Sequence, residues 1–534
     1  MIKIIFRYWN TIKYLKLFQI FHRIIFKFFF PIINNNKVYK KRTIKKNIFF
    51  LNKFNKSNKN LFNFINIEKK CDKKIEWEDK ELPKLWNYNL HYFDFINSNV
   101  NKDDSEFVLF AIHDWISINK VKKKLPWDSY PTSLRIVNWI KWLLVNNINN
   151  SKIEESLLLQ SRWLNKRIEY FLQGNHLIAN AKALIFSGIY FDTKESKLWL
   201  EKGIRILEYE INKQILDDGG HFELSPMYQL IIIEDFLDIV NILSAYNLGT
   251  LKTVKKINSV ISKMFDWINV MIHPDKDISF FNDSSFNIAH TYENLIKYAS
   301  KIGFNQIKEV DEKIKFLKDS GYIKLKYDNI SIIIDVAKVG PDIQPGHAHA
   351  DTLSFEMSIN NHRLIVNSGT STYDVSRERH FQRSTIAHNT VEINNENSSD
   401  VWKSFRVGNR AYVNDIKIIE TNKYPFISAS HNGYKNLIHK REWVAEEHAI
   451  NINDYIYGNF SSAMIRFYLH PDVIIHNENT LRISNDKLIQ FSTDNSYKIV
   501  DTFWYPEFGL KLNNKCIEIN LSNSFNQMRF KVIK

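Results

Sequence analysis

The sequence predicts a two-part α+β protein: stacked helical hairpins first, an antiparallel β-sandwich after. From about Leu85 to Gly303, apolar residues recur at helical spacing with short links between the runs. After Gly321 the period drops to two. At 534 residues the chain also exceeds what one core organises, so two domains plus extensions follow. The divisions are 1–83, a basic amphipathic arm and linker; 84–318, the helical domain; and 319–534, the sandwich.

Charge is informative once it is located. The first 67 residues hold 15 Lys and Arg and no Asp or Glu, while the remainder balances at 58 of each. The net charge of +15 therefore belongs to the arm, and a nucleic-acid partner, which needs a basic face on the folded domain, is not expected. A hydrophobic content of 44% excludes a disordered chain. Cys71 and Cys516 lie far apart and imply no disulfide or zinc framework.

Residues 1–30 alternate apolar and aromatic groups with Lys13, Lys16, Arg23 and Lys27 at helical spacing, and Pro31 closes the segment. The charges interrupt every apolar run well short of a membrane span, and no cleavable signal is evident. Two readings stay open: a helix packed on the protein's own body, or one lying on an anionic membrane surface. Residues 34–83, rich in Asn and Lys, read as a loose linker.

Helical patterns follow at 105–119, after Thr132-Ser133, from a Ser151/Glu154 capping box, and at 177–190 and 194–214. Ser225-Pro226 supplies an N-cap and N1 proline for MYQLIIIEDFLDIVNIL, and 251–272 and 291–302 complete the series. No sequence repeat is evident, and the hairpins fit either a solenoid or a closed toroid. Strand patterns then run from YIKLKY through CIEINL with polar turns between them.

Chemistry-bearing residues gather in three places. Gly346-His347-Ala348-His349-Ala350-Asp351 carries two imidazoles and a carboxylate; in extended backbone His347 and His349 would face one site, with His388 some forty residues on. Gly174-Asn175-His176 stands before a helix, where an anion is well received. Asp217-Asp218-Gly219-Gly220-His221-Phe222-Glu223 turns tightly toward Tyr228.

In order along the chain, GNHLIANAKAL, DDGGHFELSPMY, GHAHADTLSFE, the NSGT turn, STIAHNTVEI and FWYPEFG resemble the heparinase II/III-type polysaccharide lyases, particularly members associated with bacterial envelope polysaccharides. The resemblance implies an N-terminal (α/α) toroid and a C-terminal antiparallel β-sandwich with the site between them. It implies β-elimination on a uronic-acid polysaccharide. Asn175 and His176 would neutralise the carboxylate, and Tyr228 and His347 would share the base and acid roles. Arg135, His221, Glu223 and Arg383 would contact substrate. It also implies one structural zinc at His349, position 367 and His388. Here Asn367 stands where an aspartate is usual, a poorer ligand for which Asp351 could compensate. Gln229 stands where many relatives carry histidine. The resemblance implies the cell envelope or periplasm, while the lack of an evident cleavable signal leaves a cytoplasmic or peripheral-membrane location open. Two alternatives remain open: a toroidal glycoside hydrolase using Asp218 and Glu223, and a catalytically weak glycan-binding factor in polysaccharide assembly.

Overall fold

The computed structural model describes residues 2–52, 61–71, 74–98, 104–122, 124–305, 311–420, 424–484 and 487–533. The arm forms α1 (Ile2–Ile12) and α2 (Leu17–Phe28). A hairpin of strands Leu61–Phe64 and Ile67–Lys70 precedes α3 (Lys84–Tyr92). It is no loose linker: Phe62, Phe64, Ile75 and Trp77 are buried in the helical core, so the helical body begins well before residue 84. Their aromatic rings escaped notice because the surrounding Asn and Lys dominate the local composition.

The helices continue as α4 (Asp104–Ile118), α5 (Ser129–Val145), α6 (Ser151–Lys166), α7 (Gly174–Tyr190), α8 (Lys194–Gln214), α9 (Pro226–Ala245), α10 (Lys252–Met271) and α11 (Tyr292–Lys301). Burial sorts them into layers. α5, α7 and α9 are covered on nearly every face and touch in series, whereas α6, α8 and α10 bury one stripe and lie outside. This is an (α/α) toroid of inner and outer helices. The Ser225 side chain caps α9 as expected, accepting from Tyr228 N at 3.2 Å. For α6 the cap is Asn150, whose Oδ1 accepts from Ile153 N, and Ser151 is already inside the helix.

In the second domain the strand pairs among the described residues are antiparallel, and one isolated parallel bridge joins Gly369 to Tyr505. A five-stranded sheet (314–365) and a four-stranded sheet (497–504, 512–520, 463–468, 391–393) join through an Ile365–Leu469 bridge. An eight-stranded sheet, containing 413–457, 525–532 and 474–493, packs on both, with Phe355 against Trp443 and Phe467 against Phe530. The helix α12 (Arg377–Arg383), capped by Ser376, projects from this sandwich.

The two domains are fastened by polar bonds. Asp218 Oδ2 accepts from the backbone of Asp319 and Ser320 at 2.9 and 2.7 Å, and Tyr322 OH donates to Leu224 O at 2.9 Å. The arm spans the same seam. Gln19 donates to Phe171 O and Ile343 O, Arg7 pairs with Asp400, and Arg167 caps the end of α2 through Phe26 O and Phe29 O. No helix among the described residues is long and apolar enough to cross a membrane.

Candidate active site

Between toroid, sandwich and arm lies a cleft of about 1200 Å³, larger than a typical small-molecule pocket. Asn175, His176, Tyr228 and His347 all line it. The first two occupy the opening turn of α7. Gln173 and Gly174 there adopt positive φ, and a Cβ on Gly174 would lie 2.0 Å from Glu223 Oε1. That close approach lets Glu223 Oε2 accept from Asn175 Nδ2 at 3.0 Å. His176 Nδ1 lies 3.1 Å from Glu169 Oε2, and its ring stacks 4.3 Å from that of Tyr130. Burial works against a charge on His176, but Glu169 outweighs it and raises the imidazole above its ordinary value.

Tyr228 enters on the first turn of α9. The preceding Leu224 sits at φ +57°, a left-handed conformation that costs a leucine roughly 1–2 kcal/mol. The Tyr228 ring lies 4.2 Å from that of His347, and its hydroxyl is 3.1 Å from the hydroxyl of Tyr373. Burial, and next the neighbouring Tyr373, push the Tyr228 phenol well above 10, so it rests protonated.

His347 and His349 are not in regular extended backbone, yet both reach one carboxylate, Asp283. His347 Nδ1 lies 2.8 Å from Oδ2 and His349 Nε2 lies 2.9 Å from Oδ1. Arg379 of α12 adds a bidentate pair, with Nη2 to Oδ2 at 2.8 Å. Burial opposes the charge on Asp283, but Arg379 and the two imidazoles outweigh it and hold the carboxyl well below its usual range. An ionised carboxylate only accepts, so His347 must be protonated at Nδ1 and His349 at Nε2. Asp283 engages only Nδ1 of His347, whose ring lines the cleft.

Asp283 and Tyr373 escaped the sequence reading. The signal for Asp283 was FFNDSSF, a polar knot that follows the buried Phe280 and Phe281 and precedes the partly buried Phe286.

Four residues assigned to substrate lie elsewhere. Arg135 is fully buried in the toroid, 3.9 Å from the Trp115 ring, with donors on Gln160, His91 O and Thr132. Arg383 donates to Ala348 O and Lys403 O, so it shapes the GHAHAD loop from behind. His221 is wholly buried against Gln214, and burial pushes it down to about 4. Glu223 is buried beneath Asn175. Arg135 and Arg383 sit in helices and His221 and Glu223 in a polar turn, and sequence alone does not distinguish a polar side chain turned inward from one facing substrate. Gln229 is likewise structural, tying His221 N to Gly219 O and Met264 O.

The predicted metal set also changes. His349, Asp351 and His388 bring ligand atoms within 4.8 Å of one another. His349 Nδ1 and both ring nitrogens of His388 are buried with no hydrogen-bond partner. Asn367 Oδ1 instead accepts from Asn389, and its Nδ2 donates to Ser354.

A toroid closed by an antiparallel sandwich, with Tyr228 and His347 side by side in the cleft between them, defines a two-domain toroid–sandwich protein. The chain belongs to the heparinase II/III family: residues 31–308 match the model "Heparinase II/III N-terminus" and 309–528 match "Heparinase II/III-like, C-terminal". It is 28% identical over 290 residues to a heparin-sulfate lyase of Bacteroides stercoris, a match covering 51% of this chain and 42% of that protein. A heparin-sulfate lyase of Pedobacter heparinus is 28% identical over 250 residues, 43% of this chain and 37% of that one. The matched stretches thus span less than half of these curated relatives. Among solved structures, a crystal structure of heparinase III superposes with TM-score 0.71 at 19% identity, covering 87% of this chain and 80% of that one. A chondroitinase AC lyase superposes at 0.52 and 12% identity, covering 86% and 79%. At these identities the likeness is one of fold.

Proposed function

We propose that this protein is a polysaccharide lyase cleaving a uronic-acid-containing polymer by β-elimination. The observation that carries this reading is the Tyr228–His347 pair, with Asp283 fixing the imidazole from behind. His347 Nε2 takes the C5 proton, and the C5 electron pair forms the C4–C5 double bond as C4–O4 breaks. The Tyr228 hydroxyl protonates the departing O4. Asn175 and His176, whose pairing with Glu169 favours its charged form, stand at the positive end of α7, meet the uronate carboxylate and make C5 more acidic.

The cleft is lined by six Lys and Arg and seven Asp and Glu. Such a surface favours spaced carboxylates over a polymer sulfated on every sugar. The hydrolase alternative loses support because Asp218 is occupied by backbone N–H groups of the other domain. Incubation with a panel of uronate polymers tests the reading: unsaturated products absorb in the ultraviolet and appear by mass spectrometry. Binding without any product would favour the assembly-factor alternative instead.

Two ancillary roles belong to this reading. His349, Asp351 and His388 fit one structural zinc, which when bound would act as a Lewis acid tying the sandwich loops together behind Asp283. The arm lies on an anionic membrane surface. Its inner face is docked on the body, but Ile5, Phe6, Trp9, Leu17, Phe21 and Phe28 are each at least 60% exposed. No acid occurs among the arm's cations to offset the attraction. Full-length protein should sediment with anionic vesicles, less so at high salt, while a variant starting at residue 31 should not. Equal sedimentation of both would remove the membrane role.

A further inference from the structure

We propose that Arg23 of the arm and Arg406 of the sandwich together form a second anion subsite in the cleft. This subsite takes an acidic group on a sugar next to the one being cleaved. The inference rests on the lyase reading and extends the site to a part of the chain that the reading does not use.

Both side chains line the cleft, although 383 positions separate them, and Phe26 lines it beside Arg23. The arm is held there by several contacts. Arg167 lies 3.5 Å from the Phe26 ring, Phe26 packs on Phe171 at 4.8 Å, and Arg23 lies 6.0 Å from that Phe171 ring. Arg406 stands on the short hairpin of Val401–Trp402 and Arg406–Val407. Its backbone carbonyl accepts from Arg383, so its position is fixed. Phe405, the preceding residue, has its ring 6.0 Å from His347 and 5.2 Å from Tyr373. The hairpin that carries Arg406 thus places its neighbour Phe405 against His347, and Arg23 and Arg406 line the same cleft as His347.

Neither guanidinium has a carboxylate partner among the described residues. Burial, and next the charge of Arg23, lower Arg406 from its ordinary value, while Tyr8 works in the opposite sense. Two cations lining one cleft, neither paired with an acid, favour an anion that enters between them. Lys403 lines the same wall and adds to the field. A uronate carboxylate or a sugar sulfate supplies that chemistry. The flat two-pronged donor geometry of guanidinium suits either oxyanion.

The test compares wild type with Arg23→Gln, Arg406→Gln and the double variant, on a uronate polymer that the wild type cleaves and on its sulfated counterpart. Each single change should raise KM about tenfold, the equivalent of one lost charged contact, with kcat within about twofold. The double variant should fall short of the product of the two, because both arms grip one anion. Arg23→Lys should restore part of the loss, and unchanged thermal melting excludes a folding defect. A larger KM effect on the uronate polymer assigns the subsite to carboxylate, and on the sulfated polymer to sulfate. If KM stays put in both single variants, or if only vesicle binding falls, the subsite does not exist. Should the wild type cleave no polymer, the lyase reading fails by itself. Calorimetric binding of a uronate oligomer to the same variants still decides the subsite.

Discussion

Asp283 lies between His347 and Arg379, 2.8 Å from Nδ1 of the first and 2.8 Å from Nη2 of the second. One carboxylate thereby fixes the tautomer of the proposed base and neutralises a fully buried guanidinium. Asp283→Asn keeps the shape but removes the charge, so an amide N–H faces one of these donors. Activity should fall at least about 10²-fold, and stability by about 3 kcal/mol or more as Arg379 loses its buried partner. The sign with pH follows from the lowered native pKa. The contribution of Asp283 is present above the unfolded carboxylate value near 4 and is lost as pH falls below it. Acid-unfolding midpoints of wild type and variant check this, and the two should converge at low pH.

Tyr228→Phe removes one proton transfer while keeping its ring beside His347, and His347→Gln removes the other while keeping a polar side chain of similar reach. Turnover should fall by about 10²–10⁴-fold, with oligosaccharide binding kept within a few-fold. Product absorbance and calorimetry measure the two quantities separately. Near-normal turnover in either variant would withdraw that residue's role.

Gly174→Ala should disrupt the carboxylate-binding turn without touching substrate. Its Cβ would strike Glu223 Oε1, and φ of +56° strains any alanine. A loss of about 1–2 kcal/mol in stability is expected, with a raised KM, because Asn175 loses its Glu223 support. Chemical denaturation and initial-rate kinetics report the two effects.

Metal content is open to direct measurement. Elemental analysis should find about one zinc per chain, and exhaustive chelation should lower Tm. His388→Ala should abolish both the metal and the response to chelation, whereas Asn367→Ala should retain bound metal. Less than about a tenth of an equivalent in the wild type would assign these histidines to packing alone.

The succession of helices and then strands was legible along the chain, because amphipathic period and caps such as Ser225 are local properties. So was the gathering of Asn175, His176, Tyr228 and His347, whose flanking glycines and N-cap residues mark turns that the fold brings to one cleft. Tertiary structure decided which polar groups those turns face. Arg135 and Arg383 are arginines in helices, and only packing shows that their donors are consumed by carbonyls and amides inside the protein. Asp283 acquires its meaning from Arg379, 96 positions away, and Arg23 from Arg406, because electrostatic partners are chosen by distance in space. Sequence pattern records burial and turns through short-range periodicity; the pairing of charges across domains leaves no such periodic trace, and here it is set by how the toroid, sandwich and arm close on one cleft.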